Sequence, residues 1–395
     1  MTMMVRDEID IIAAMIEHHL AQGIDLFIVT DNGSIDGTYE LLQGYAVRGV
    51  LELHLDPVQH KQQHRIVTEM ARRAYTVHHA DWVINADADE FWVAKNPAIR
   101  LRTAFENIDT GIRSFEVPVI DMTGLPARDG SGLGRMIYRD NRSIAELKDI
   151  GLQAHSTPDA VHVGTADVQV VQGNHSVSLA SQGDPDPQWA IEVLHLPWRS
   201  WNQFRQKVEN SGRAYNANPE LSPSPNHHGM REFHRFTCGA LLPFYVLRHP
   251  TPAELQLGLE SGVFQRDDRL LGLVKFGVPD EGFDPEQEKT DRKYGAILLA
   301  AERDAERTDR EHREAAELRE QQYKTELDRA KAEASEAVRR IEALEAHSAH
   351  ELALRDTHIL ELEARIDEFS ARKVVRLADK TATLRNWIRP GTTKQ

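Results

Sequence analysis

At 395 residues the chain exceeds one typical domain, and 41% hydrophobic with 28% charged residues is the composition of a globular protein with a sizeable core. A formal charge of -15 argues against a general affinity for nucleic acid, so no nucleic-acid partner is expected. Cys238 is the only cysteine, which excludes an intrachain disulfide and suits a reducing compartment. No run has the apolar length of a secretion signal or a bilayer span, and a cytoplasmic protein is expected.

Thr2 to Val5 is a short apolar run that meets Arg6, Asp7 and Glu8, which reads as a strand ending in a charged loop. Ile11, Ile12, Met15, Ile16, His19 and Leu20 recur at helical spacing, Gly23 closes that helix, and residues 24–29 form the next strand. Residues 31–38 are dense in turn formers and lead into a helix from Tyr39. A strand over 50–55 and a helix over 59–74 follow. In that helix His60 and His64 stand four apart, a metal-compatible spacing with no third ligand in context, so no metal site is read there. Strands alternating with helices imply a largely parallel, doubly wound α/β sheet.

Trp82, Val83 and Ile84 read as a buried parallel strand that delivers Asp87, Asp89 and Glu90 at its end, where open α/β sheets bind their ligands. In an extended chain Asp87 and Asp89 share a face. A divalent cation bridging such carboxylates to a phosphate relieves their repulsion, and oxygen ligands suit Mg2+ or Mn2+. The alternative for an isolated Asp-x-Asp is a solvated acidic turn.

Farther on, residues 115–120 are strand-like, 123–134 form a glycine-rich charged loop, and 168–177 form a hairpin or bent strand. A strand over 190–194 runs into His195, and Ser200 caps a helix carrying Trp201, Phe204 and Val208. Residues 219–229 read as a loop, and 244–247 as the last element of the globular part. From about Glu286 to Arg372 the chain is rich in Glu, Ala, Arg, Lys and Leu and reads as one helix of about 130 Å. Ala334, Val338, Ile341, Leu352, Ile359, Leu362, Ile366 and Phe369 fit a three-four register interrupted by Glu345, Ser348 and Arg355. That seam predicts a modest coiled coil and a homo-oligomer, in preference to a lone solvated helix.

After it, Arg372, Lys373, Arg376, Lys380, Arg385 and Arg389 interleave with Val374, Val375, Leu377, Leu384, Trp387 and Ile388. This pattern suits a helix lying on an anionic membrane, and equally one that finishes or folds back on the coiled coil. Peripheral attachment at the inner face of the cell membrane is the matching expectation. The chain thus divides into residues 1–250, a connecting segment 251–285, a long helix 286–372 and a basic tail 373–395.

Three motifs in order, Val5-Arg6-Asp7-Glu8, residues 31–38 and Asp87-Ala88-Asp89-Glu90-Phe91-Trp92, resemble the nucleotide-sugar half of glycosyltransferase family 2 enzymes. The branch resembled has an Asp-Ala-Asp-Glu-Phe core and a later His-x-x-x-Arg-Ser segment, matched here by His195, Arg199 and Ser200. The resemblance covers roughly residues 1–247. It implies a GT-A fold, a nucleotide-diphosphate sugar donor, Mn2+ or Mg2+, and inversion at the anomeric carbon.

It also implies that Arg6 and Glu8 lie near base and ribose, Asp31 and Asn32 on the base, and Asp36 close by. Asp87 would meet the ribose or the metal, Asp89 and His195 would bind the metal, and Arg199 would assist the diphosphate oxygens. The usual Glu-Asp pair for a general base is not evident; Asp121, His175, Asp184 and Glu192 are candidates, and His175 in Gly173-Asn174-His175-Ser176 fits best. The acceptor would be a glycan or lipid-linked hydroxyl of the cell envelope. Rival readings are an inactive nucleotide-sugar-binding protein and a coiled-coil scaffold; a nucleotidyltransferase would need a glycine-rich triphosphate loop near its first strand, which Val5 to Glu8 is not.

Overall fold

The computed structural model describes residues 1–56, 63–216 and 228–387. In chain order its first elements are β1 (Thr2–Val5), α1 (Ile12–Gln22), β2 (Phe27–Asp31), α2 (Thr38–Val47), β3 (Leu51–Leu55), α3 (Gln63–Thr76), β4 (Trp82–Ile84), β5 (Glu90–Ala94) and α4 (Leu101–Asn107). Next come β6 (Ser114–Val117), β7 (Val119–Thr123), β8 (Ala127–Asp129), β9 (Tyr138–Asp140), α5 (Ile144–Asp149), β10 (Asp159–Val163) and β11 (Ile191–His195). Then follow α6 (Trp201–Asn216), α7 (His228–Thr237), α8 (Leu241–Arg248), α9 (Pro252–Ser261), β12 (Phe264–Arg266), β13 (Glu281–Gly282), α10 (Pro285–Ala371) and α11 (Lys373–Trp387). The chain divides into two compact units, Met1–Asp304 and Ala305–Gln395.

Side chains alternating along β1 and β2 bury both faces of one sheet. Met3, Val5, Phe27 and Val29 join α1 in one core, while Met4 and Ile28 pack against α3 through Ile66, Val67, Met70 and Ala71. Helices therefore cover both faces, as doubly wound patterning predicts. Gly23 ends α1 at φ 94°, where a Cβ would also come within 2.7 Å of the Arg102 side chain.

β1 pairs in parallel with β2, and β2 with β3. Thr2 bridges Asn85 in parallel just beyond β4, which extends the series to four strands. The mostly parallel sheet expected from the sequence stops there, because β10 lies antiparallel between β4 and β6. A second sheet, in the order β12-β9-β7-β11-β5, mixes directions: β11 is antiparallel to β5 and parallel to β7. The short turn after β4 leaves no room for the helical crossover that would return the chain to a parallel neighbour, and it carries the chain into the second sheet instead.

Residues 251–285, expected as a connection, contribute β12 to β9 and β13 to β8 and so belong to the first unit. Ser200 caps α6 as its sequence context predicts, accepting from the Gln203 amide at 3.3 Å. Most of the expected 219–229 loop lies outside the described residues, as does His60, while His64 is exposed on α3. α10 runs unbroken for 87 residues, and Gly295 lets its start lie against the Pro243 carbonyl. Among the described residues no helix is long and apolar enough to cross a membrane.

Candidate active site

The C-terminal ends of β1, β2 and β4 carry three loops, and the acidic stretch is the third. The Asp87 amide donates to Glu90 Oε2 at 2.8 Å, and the Glu90 amide to the Asp87 carbonyl at 3.2 Å. Asp87, Ala88 and Asp89 thus form a tight turn between two buried strands, not the extended segment from which a shared face was inferred. The run of apolar residues on both sides imposes this, because β5 must turn at once to bury Phe91 and Trp92. Burial pushes the Asp87 carboxyl up, and the Asp89 charge adds to it. Burial also pushes Glu90 well up, with Asp87 and Asp159 adding like charge.

Asp89 is only 1% exposed, and burial alone would raise its pKa, yet Lys207, His195 and Arg199 hold it ionised well below the usual range. His195 stands at the end of β11, in register with Glu90 on β5 and Asp121 on β7. Its Nδ1 lies 3.0 Å from Asp121 Oδ1 and 3.0 Å from Ser156 Oγ, and its Nε2 lies 3.9 Å from Asp89 Oδ1. Burial opposes protonation of His195, but the hydrogen bond to Asp121 and the charges of Asp89 and Asp121 raise its pKa overall.

A 3.9 Å separation is too long for a hydrogen bond, and an imidazole nitrogen and a carboxylate oxygen brought this near each other could both serve one divalent ion. Asp121 engaging Nδ1 leaves Nε2 as the ligating atom, the arrangement found around metal-bound histidines. The donor set of carboxylate and imidazole therefore fits a divalent cation, although among the described residues no three His, Cys, Asp or Glu side chains converge as a formed cage.

Arg199 is 0% exposed and is turned entirely onto carboxylates. Its Nε and Nη2 reach Asp10 at 2.6 and 2.9 Å, Nη2 also pairs with Glu8, and Nη1 lies 3.4 Å from Asp89. In this arrangement the guanidinium orders three acids, where the resemblance would have it reach diphosphate oxygens. Lys207 on α6 is the cation that sequence reading missed: its Nζ is 3.0 Å from Asp89 Oδ2 and its side chain is 48% exposed. The phase of the helix capped by Ser200 carries the signal, since a residue two turns along returns to the capped edge.

The first two loops lock together. Asp36 accepts from the Ile9 amide at 3.0 Å and from the Thr38 amide and hydroxyl at 2.9 and 2.6 Å, while Asp7, at φ 56°, accepts from the Ile35 amide at 2.8 Å. Asp31 Oδ1 accepts from the Gly33 and Ser34 amides at 3.0 and 2.9 Å, and its buried Oδ2 has no hydrogen-bond partner among the described residues. Asn32 donates to the Asp56 carbonyl at 2.9 Å, and partly exposed Arg6 lies 3.6 Å from Asp7. Glu8 and Asp89 meet on one guanidinium, so these loops and the acidic turn share one site.

Of the candidate bases, His175 is exposed, with Nδ1 3.2 Å from the buried Asp159, and the neighbouring Asn174 reaches Asp87 at 3.5 Å. The hydrogen bond to Asp159 raises the His175 pKa against the effect of burial. Asp121 is engaged by His155, Ser156 and His195. Glu192 is no base: buried on β11, it pairs with Arg139 and with Arg269 at 2.6 Å. Asp184 is solvent-exposed.

Residues 2–117, which carry the first two loops and the acidic turn, match the sequence model of glycosyltransferase family 92. The match falls where the motifs resemble family 2 and covers less than half of the chain. No curated protein matches the sequence. Among solved structures, S. aureus TarS residues 1–349 are 12% identical with a TM-score of 0.31, covering 63% of this chain and 80% of that one. TarS is 11% identical at a TM-score of 0.31, covering 66% of this chain and 52% of its own. TarS 1–349 in complex with UDP is 11% identical at a TM-score of 0.28, with coverages of 68% and 88%.

Proposed function

We propose that the chain is a metal-dependent glycosyltransferase of GT-A type that moves a sugar, with inversion, from a nucleotide-diphosphate sugar to a hydroxyl of a glycan or lipid-linked acceptor. The observation that carries this reading is His195 Nε2 facing Asp89 Oδ1 across 3.9 Å, with Nδ1 held by Asp121. Asp89, His195 and Asp87 would hold Mn2+ or Mg2+. Such an ion, when bound, supplies positive charge against the departing diphosphate.

The remaining roles belong to side chains. Asp31 Oδ2, a buried acceptor without a donor among the described residues, suits a base or ribose hydrogen bond, with Arg6 and Asn32 beside it. Asp36 and Glu8 hold the loops that frame the nucleotide, and Arg199 positions Glu8, Asp10 and Asp89. Lys207, exposed at one end and ion-paired at the other, adds a cation beside the leaving group. His175 Nε2 would take the proton from the acceptor hydroxyl, its other nitrogen being fixed by Asp159.

One observation favours an inactive nucleotide-sugar binder instead: Lys207 and Arg199 already compensate Asp89 without an ion. Incubating the full chain with a panel of nucleotide-diphosphate sugars, with and without Mn2+, separates the readings. Metal-dependent release of nucleotide diphosphate, lost by on the order of 100-fold in Asp89→Asn, is expected. His195→Ala should raise the metal concentration needed. Thermal stabilisation without release would mean a binder, and neither effect with any donor would end the proposal.

A further inference from the structure

The surface of α10 carries an unpartnered apolar seam. Leu327, Val338, Ile341, Leu352, Ile359 and Ile366 are each half-exposed or more, although they repeat at the spacing of a coiled-coil interface. Burying such a row requires a second helix, and isolated helices gain little from propensity alone. Glu345 and Arg355 stand on the same seam with Ser348 between them, and Lys331 stands on it near its start.

We propose that residues 331–369 pair with the same stretch of a second copy of this chain, antiparallel and centred on His350. In a parallel, in-register pair each seam residue meets its own copy, so Glu345 faces Glu345 of the partner subunit and Arg355 faces Arg355 of the partner subunit. Two like-charged layers would then be buried, which is strongly unfavourable. The antiparallel pair brings Glu345 opposite Arg355 of the partner subunit, and the twofold axis repeats the contact.

The same alignment stacks apolar layers. Ile359 lies over Ile341 of the partner subunit, Leu362 over Val338 of the partner subunit, and Leu352 over Ser348 of the partner subunit. Flanking acids such as Glu351 and Asp356 meet acids in either orientation, so the charged pair within the seam decides. A buried polar pair that fixes orientation at some cost in stability is the best-attested role for such residues.

The test uses the full chain and does not depend on catalysis. By sedimentation equilibrium the wild-type chain should be a dimer. Glu345→Arg and Arg355→Glu should each weaken association at least tenfold, and the double variant should regain most of it. Singles indistinguishable from wild type, a double no tighter than the singles, or a monomeric wild type would each overturn the proposal. A spin label at Glu336→Cys in a Cys238→Ser background reads orientation directly. Antiparallel pairing puts the two labels about 40 Å apart along the axis; a short distance, of the width of two helices, would also overturn it.

Discussion

In the proposed base role the His175 imidazole must be neutral to accept a proton, and Asp159 works against that. By holding Nδ1 it favours the imidazolium and lifts the pKa above the ordinary 6.5. The sign follows: kcat/KM should rise with pH through this raised value and level off above it. Asp159→Asn should move the limb to lower pH, and His175→Gln should remove the limb and cost about 10²–10⁴ in kcat. A pH–rate profile whose limb stays in place in Asp159→Asn would dismiss the pair. Asp89 needs a different treatment from the one its sequence context suggests. A carboxylate at a strand end would tolerate neutralisation, but this one is buried on Arg199 and Lys207. Asp89→Asn should therefore also lower stability, by about 1–3 kcal/mol in urea unfolding, with Glu8 and Asp10 still compensating Arg199. Residue types and their order made Asp87, Asp89 and His195 legible in the sequence. Lys207 and the Asp121–His195 contact were not, because they arise from how α6 and β7 are set against strands distant in the chain.

α1 is an amphipathic helix whose buried stripe includes two histidines, and its packing depends on both being neutral. His18 Nε2 donates to the Trp92 carbonyl at 3.0 Å; His19 Nδ1 donates to the Met15 carbonyl at 2.8 Å, and His19 Nε2 accepts from the Trp92 amide at 3.0 Å. Protonating His19 would put two N–H groups face to face. Burial pushes His18 down to about 4 and His19 well below 6.5. Their stabilising effect is thus fully present above pH 6.5 and lost as pH falls toward 4, since only the unfolded chain takes up the protons. For His18 alone the loss between pH 7 and pH 5 should be about 2 kcal/mol in urea unfolding. His18→Gln, which keeps a donor and does not titrate, should flatten that part of the dependence; an identical slope would refute the assignment. The apolar spacing of α1, with Gly23 after it, was readable in the sequence, as was the extent of α10. β5 was not, because its start is an acid that also closes the turn, and β9 and β12 are too short to show a period. Antiparallel pairing of β10 and β11 depends on partners from different parts of the chain, which local periodicity does not encode.

Across the whole molecule charge is unevenly placed: a net -15 overall, yet from Arg372 onward Asp379 is the only acid. α11 covers Lys373–Trp387, with Leu377 and Leu384 exposed; Ile388 and Arg389 lie outside the described residues. Leucines seven apart fall on one helix face, and flanking Arg376 and Lys380 are exposed beside them. A face of that kind can lie in the headgroup region of an anionic bilayer, where each basic side chain contributes about 1 kcal/mol. We propose this as peripheral attachment that would bring a lipid-linked acceptor and the enzyme to one surface. Cosedimentation should show the full chain bound to vesicles containing anionic lipid, released by high salt, and absent from neutral vesicles. A chain stopped after Ala371 keeps the whole 331–369 pairing stretch and should still self-associate while losing the vesicles. Equal vesicle binding by the two chains would remove the tail from any membrane role, and loss of both properties would mean that α11 completes the helical pairing instead.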